Sequence, residues 1–357
     1  MKPLQTLQKS LSYGRCALFF SRVSRQYLSG FSSSDGTLLV FYDSAFLYLD
    51  SRYYEMAIIA QKEGRVPEEI TVKPFVFRKE FTDFCDDGTV KEALFEEKEV
   101  SVWHLSRLKA AYPKIAFSPL GDIVENCRIV KSEGEIRRLR ASQELSEAAF
   151  SYILPRLKMG RTEMEIAAEL EFFMKKNGAA EPSFPTICVS GARTSLPHGT
   201  PSEKPLEEGD FVTMDFGCML DGYASDMTRT VCLGRASDEK KAVYDTVLRA
   251  QLAAIGKVSA GIVGKEVDAA ARDVITSAGY GAYFGHSTGH GVGLCVHEAP
   301  SFSPSEERVI PAGACLSVEP GIYLPGKFGV RIEDLVVVRE NGRENLNRST
   351  KELLELS

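Results

Sequence analysis

The sequence predicts an α/β protein of two domains, a small α/β domain followed by a larger one. Three observations lead there. At 357 residues the chain exceeds a usual single domain. Residues 1 to about 128 alternate short strand-like and helix-like runs, and near Arg128-Ile129-Val130-Lys131 the texture changes to long capped helices. Beyond that point a weak repeat recurs at an offset of 101 residues, with Gly160, Glu165, Ile166 and Gly178 answering to Gly261, Glu266, Val267 and Gly279.

In the first domain, 1–128, the apolar runs Cys16–Phe20, Leu38–Tyr42 and Phe46–Leu49 read as strands. Tyr53–Gln61 reads as a helix and Val102–Ala111 as an amphipathic helix. Ile70–Phe77 reads as a strand, but Pro74 cannot donate to a ladder and confines it to an edge or breaks it. His104, the one histidine here, reads as a surface or half-buried helix residue. The second domain, 129–357, opens on a capping box at Ser132-Glu133-Gly134-Glu135. Ile136, Leu139, Leu145, Ala149, Ile153 and Leu157 follow as a helical stripe. A second box, Thr162-Glu163-Met164-Glu165, starts a helix that closes at Asn177-Gly178.

Composition excludes several classes of function. Apolar residues at 44% and charged at 26% describe an ordinary globular chain. A net charge of −6 argues against nucleic acid as a partner, and no apolar run is long enough to span a bilayer. The opening Met1-Lys2-Pro3-Leu4 offers no apolar signal region. Cysteines 16, 85, 127, 188, 218, 232, 295 and 315 contain no CxxC pair, so they read as reduced thiols of a cytoplasmic protein.

The stretch 211–226 reads as a β-hairpin around Asp221-Gly222, the dipeptide suited to a two-residue I′ turn. With that loop, Asp215 lies opposite Thr228 and Gly217 opposite Asp226. Period-two alternation then puts Asp215 and Asp226 on one face as diagonal neighbours, roughly 7–8 Å apart. Two converging carboxylates repel unless a proton or cation lies between them. Further on, His290, Glu319 and Glu333 are embedded in apolar, strand-like text, as in Leu316-Ser317-Val318-Glu319. Buried charge needs a partner, and Arg331 alone cannot neutralise four carboxylates. One imidazole with four carboxylates is a hard, oxygen-rich set that suits Mn²⁺ or a similar divalent ion, and four negative charges can hold two. Co²⁺ or Zn²⁺ would also be accepted, with availability deciding.

Three look-alikes fail on context. Gly285-His286-Ser287-Thr288-Gly289 matches the G-x-S-x-G elbow of serine hydrolases, but the following His290-Gly291-Val292-Gly293 is poor helix text and no acid lies between Ser287 and His297. Gly261–Lys265 lacks the spacing of a phosphate loop. His297-Glu298 does not complete H-E-x-x-H, because position 301 is Ser.

Asp215, Asp226, His290, Glu319 and Glu333, in that order and in those flanks, resemble the metallopeptidases of the methionine aminopeptidase, aminopeptidase P and prolidase superfamily. Gly285–Gly291 and Val296-His297-Glu298-Ala299-Pro300 are similar to its proline-peptidase branch. Tyr27–Phe31 and Leu49–Tyr53 resemble its creatinase-type N-terminal domain. The resemblance implies a pita-bread catalytic fold with an internal pseudo-twofold, two divalent ions and a homodimer. It makes Asp215 a ligand of one ion, Asp226 and Glu333 bridges, and His290 and Glu319 ligands of the other, with Glu319 also a proton shuttle. It gives His198 a place lining the substrate pocket, His297 a donor role toward the carbonyl oxygen, His286 an auxiliary place, and Arg331 the task of holding a ligand. Cys295 departs from relatives that often carry an acid there. The implied activity is removal of the residue preceding a proline at a peptide's N-terminus (Xaa-Pro aminopeptidase), with prolidase, which cleaves Xaa-Pro dipeptides, as the alternative. A peptidase-shaped binding module that has lost catalysis would lack a ligand, and all five are present.

Overall fold

The computed structural model describes residues 3–75 and 88–357. Cys85 and residues 76–77 of the run that starts at Ile70 lie outside them. Contacts divide the chain into two compact units, Met1–Cys127 and Arg128–Ser357.

The first unit is a six-stranded mixed sheet. Its strands are β1 (Arg15–Phe19), β2 (Thr37–Val40), β3 (Ala45–Leu49), β4 (Ile70–Pro74), β5 (Glu92–Phe95) and β6 (Ala116–Pro119), in the order β4-β3-β2-β1-β5-β6. Pro74 ends β4, and β4 is an edge strand, as a residue without an amide hydrogen requires. Helices α1 (Pro3–Ser10), α2 (Arg22–Ser29) and α3 (Tyr54–Lys62) contribute Leu4, Leu7, Leu28, Ala57 and Ala60 to the core on one face. Helix α4 (Val102–Ala111) forms where expected, but it is not amphipathic in effect. None of its residues is buried, and Trp103 is 66% exposed. Its apolar positions are too few and too scattered to make a stripe. The last helix, α5 (Ile123–Ile129), ends at the texture change.

The second unit starts with α6 (Glu133–Ile153) and α7 (Glu163–Lys176), and both capping boxes form as read. Ile136, Leu139, Ala149, Ile153 and Leu157 of the stripe are buried, and Leu145 is partly so. Next come β7 (Glu181–Pro182), β8 (Ile187–Ser190), β9 (Phe211–Phe216), β10 (Cys218–Leu220), β11 (Tyr223–Ala224) and β12 (Met227–Leu233). Helices α8 (Asp238–Lys257) and α9 (Gly264–Ser277) follow. The chain then runs through β13 (Gly289–Gly291), β14 (Glu298–Phe302), β15 (Cys315–Val318), β16 (Gly321–Leu324), β17 (Phe328–Arg331), β18 (Asp334–Arg339), β19 (Gly342–Asn345) and β20 (Glu355–Leu356). Two sheets dominate, β20-β12-β9-β8 and β14-β13-β15-β18-β19.

The faint repeat corresponds to real architecture. Helices α7 and α9 each run 14 residues and start 101 positions apart, at 163 and 264. Each is preceded by a longer helix, and each helix pair packs on its own apolar core, one over β8, β9 and β12 and the other over β15, β17 and β18. This is the pita-bread layout, two quasi-equivalent α/β halves facing one cleft. Within the first half, the two arms of the 211–226 hairpin come this close only where a side chain is missing. A Cβ on Gly217 would overlap the Ser225 carbonyl and the Ser183 hydroxyl. Gly217→Ala is therefore expected to lower stability by about 1–3 kcal/mol, read as a lower urea midpoint at unchanged m-value.

Candidate metal centre

The hairpin that carries the first two carboxylates closes as the turn chemistry requires. Asp221 and Gly222 have φ of 50° and 79°, both positive, as a I′ loop demands. Leu220 pairs with Tyr223 and, farther out, Asp215 pairs with Thr228. Parity is kept, and Asp215 and Asp226 are buried at 8% and 4% exposure. The Asp226 amide donates to Gln143 Oε1 of α6, 3.2 Å away.

The other groups arrive from the second half. A register shift between His290 and Gly291 re-aims the imidazole of β13. Glu319 follows β15, and its amide donates to Thr288 O at 2.7 Å. Glu333 lies between β17 and β18, and its amide donates to Thr228 O of the hairpin at 3.1 Å. All five sequence-read residues are thus brought to one cleft. Ligand atoms of Asp226, His290 and Glu333 lie within 4.8 Å of one another. His290 Nε2 is 3.2 Å from Glu319 Oε1 and 3.6 Å from Asp226 Oδ2. Asp215 stands one step aside, with its Oδ2 accepting from Arg331 Nη2 at 2.6 Å.

Charge and hydrogen bonding both leave room for cations. Among the described residues, Arg331 is the one guanidinium lining the cleft, against four carboxylates. Burial pushes the Asp226 and Glu333 carboxyls well above the usual range, and the neighbouring charges add to it: Glu333 and Asp215 on the one, Glu319 and Asp215 on the other. Burial also raises Asp215 against the pull of Arg331. Glu319 goes the other way: burial acts to raise it, but the hydrogen bond and charge of His290 outweigh burial and hold it down at about 2. Asp215 Oδ1 and Glu333 Oε1 are buried with no hydrogen-bond partner, the defect a bound cation would satisfy. His290 Nδ1 faces Gly291 O at 3.2 Å. A carbonyl only accepts, so Nδ1 carries a hydrogen, which leaves Nε2, the nitrogen that faces the carboxylates, as the one that would give its lone pair to a metal ion. The donor set fits a divalent-metal site.

A cavity of about 630 Å³ opens over the cluster, and His198, His286, His297, Phe184, Pro185 and Ile187 line it. The His297 ring is 4.3 Å from that of His290. His286 is engaged on both nitrogens. Nδ1 donates to Ser287 O at 2.8 Å, and Nε2 accepts from Tyr323 Oη at 2.8 Å. Tyr323 Oη accepts in turn from Arg331 Nη1. This relay holds the guanidinium that orients Asp215. Tyr323 and Gln143 escaped the sequence reading, because a lone Tyr or Gln carries no signal of the partner it meets in the fold. Asp268 and Arg272 of α9 escaped it too. Asp268 accepts from Thr288 N and Oγ1, and Arg272 donates to Phe284 O and His286 O, so one helix grips the segment that bears His286.

Comparison with known proteins decides the family. Residues 137–340 match the model of Metallopeptidase family M24. The chain belongs to metallopeptidase family M24. Residues 5–130 match the Creatinase/Prolidase N-terminal domain. A protein of Pyrococcus horikoshii named Xaa-Pro dipeptidase is 38% identical over 92% of this M24 chain and 91% of its own length. Among solved structures, the Xaa-Pro dipeptidase from Bacillus anthracis superposes with a TM-score of 0.93 at 39% identity, covering 100% of this chain and 99% of that one. The X-Pro aminopeptidase from Thermotoga maritima gives 0.90 at 38%, covering 98% and 99%.

Crowded like charges make a test of the M24 centre that needs no substrate. The folded Asp226 carboxyl is raised above its unfolded value, so the metal-stripped protein loses stability as pH rises past the carboxylate range. After dialysis against a chelator, Asp226→Asn is expected to match the parent near pH 4 and to be more stable at pH 7 by about 1–2 kcal/mol, measured by chemical unfolding at the two pH values.

Proposed function

We propose that this M24 metallopeptidase is an Xaa-Pro dipeptidase, a prolidase, which hydrolyses the bond between a first residue and a following proline. The observation that carries hydrolysis is the pair of orphaned carboxylate oxygens, Asp215 Oδ1 and Glu333 Oε1, at the floor of a histidine-lined cavity. The names of relatives matched over nearly the whole chain support the dipeptide preference. That choice reverses the order in which the sequence ranked the two substrates.

Asp215, Asp226, His290, Glu319 and Glu333 would hold two divalent cations, Mn²⁺ suiting so oxygen-rich a set. The chemistry supplied by cations held there is Lewis-acid polarisation of the scissile carbonyl and acidification of a water. The remaining work falls to side chains. His297 would donate to the carbonyl oxygen as charge builds on it. Glu319 takes the proton of the attacking water and passes it to the proline nitrogen as the C–N bond breaks. Arg331 keeps Asp215 aimed, and the Tyr323–His286 pair keeps Arg331 aimed. With both nitrogens occupied, His286 acts by positioning and not by proton transfer. His198, another lining residue, contacts the substrate. A reducing cytoplasm suits the buried thiols at 188, 218, 232 and 315, and a homodimer follows the resemblance.

A second reading has one observation in its favour. The free carboxylate of a dipeptide calls for a cation nearby, and among the described lining residues the one Lys or Arg, Arg331, is committed to Asp215. A longer peptide would carry its carboxylate out of the pocket, which is aminopeptidase P behaviour. A length series decides: turnover of Xaa-Pro with little turnover of Xaa-Pro-Xaa-Xaa is expected, and the reverse pattern would move the assignment to aminopeptidase. His297→Ala is expected to lower kcat by roughly 10²–10³-fold in steady-state assays at full metal occupancy. Chelation should abolish activity that Ser287→Ala leaves intact.

A further inference from the structure

His198 reaches the pocket on a loop, and something must fix that loop. The segment from Ser190 to Ser202 leaves β8, turns through Gly191–Ser195 and lines the pocket with residues 197 to 201. Its two ends meet at one carboxylate. Glu163, the first residue of α7, has no solvent exposure. Its Oε1 accepts from Ser190 N and Oγ at 2.7 and 2.9 Å, and its Oε2 from Ser202 N and Oγ at 3.0 and 2.7 Å. Arg193 Nε reaches both oxygens at 3.1 and 3.3 Å, while its Nη2 donates onward to Thr200 O at 2.6 Å. A helix cap needs far fewer bonds than this. The same group closes the loop, spans its middle and neutralises the one guanidinium inside it.

The other half of the fold repeats the device with a different residue. Gly264 opens α9 at the position that corresponds to Glu163. A Cβ on Gly264 would lie 2.5 Å from Glu306 Cγ, so the absent side chain leaves space that Glu306 fills. The Glu306 carboxylate, 7% exposed, accepts from Ser301 N and Oγ at 3.1 and 3.3 Å and from Arg308 N, Nε and Nη2 at 2.8 to 3.0 Å. Ser301 also lines the pocket.

We propose that Glu163 and Glu306 are a pseudo-symmetric pair of positioning residues, each fixing one wall of the substrate pocket, and that Glu163 sets the place of His198. The kinetic half of this proposal rests on the reading of His198 as a substrate contact. A carboxylate is required at 163 because every group facing it is a donor. Glu163→Gln would turn an NH₂ toward some of them and leave Arg193 without its counter-charge.

The test uses the full-length protein loaded with Mn²⁺. In Glu163→Gln, amides of 190–202 should exchange hydrogen faster while those of β9 and β12 keep their protection. KM for an Xaa-Pro dipeptide should rise roughly tenfold at unchanged metal stoichiometry and little change in kcat. Glu306→Gln should raise KM in the same way. Glu165→Ala is the control: it removes the capping-box partner two residues on, weakens the same helix end, and should leave KM alone. Parent-like loop exchange in Glu163→Gln, an unchanged KM, loss of metal, or an equal KM rise in Glu165→Ala would each overturn the proposal. If Glu163→Gln does not fold, Ser202→Ala removes a single hydroxyl leg. A smaller rise in exchange and KM supports the proposal, and no change in either overturns it. Should the parent cleave no proline peptide, the functional reading falls, and the exchange comparison still decides the loop.

Discussion

Four carboxylates share one buried cleft with, among the described residues, a single guanidinium. That imbalance is the constraint the second unit is organised around. Taking charges of one sign out of water and packing them together is unfavourable by several kcal/mol per ion unless something positive joins them. The surroundings are built to hold the groups in place regardless. Asp215 and Asp226 ride on one hairpin, Glu333 is tied to that hairpin through its amide and through Thr228 Oγ1, and Glu319 is hung from Thr288. Each position is set by backbone pairing, so the acids cannot relax apart, and the strain of their proximity becomes affinity for cations.

The pseudo-twofold explains how so many groups from distant parts of the chain converge. Each half contributes a helix pair and a sheet, and the cleft lies where the halves face each other. The first half supplies the aspartates and His198, the second His290, His297 and the glutamates. Neither half alone holds a complete set. The two halves have diverged in detail while keeping a job in common, as the carboxylates under the two pocket walls illustrate: Glu163 comes from the helix itself, whereas Glu306 enters the room left by Gly264.

Much of this could be read from local chemistry. Asp221-Gly222 declares its turn because few other dipeptides tolerate two positive φ angles, and once the loop length is known parity places Asp215 and Asp226 on one face. The capping boxes at Ser132 and Thr162 declare helix starts, and Pro74 declares an edge. The partners that aim the site were not legible. His286 and Tyr323 meet across 37 positions and Asp226 reaches Gln143 across 83. Tertiary geometry creates those pairs, and no spacing rule records them. The same applies to Glu163, which reads from sequence as an ordinary first-turn acid. Helix α4 shows the opposite limit: propensity was enough to make a helix, but not to give it a buried face.

The state of the centre without metal has a chemical consequence. Burial and mutual repulsion lift the Asp226 and Glu333 carboxyls, and Glu319 lifts His290 above its ordinary value even against burial. Groups that favour their protonated forms must give up those protons when a cation binds, so loading exchanges one positive occupant for another and weakens in acid.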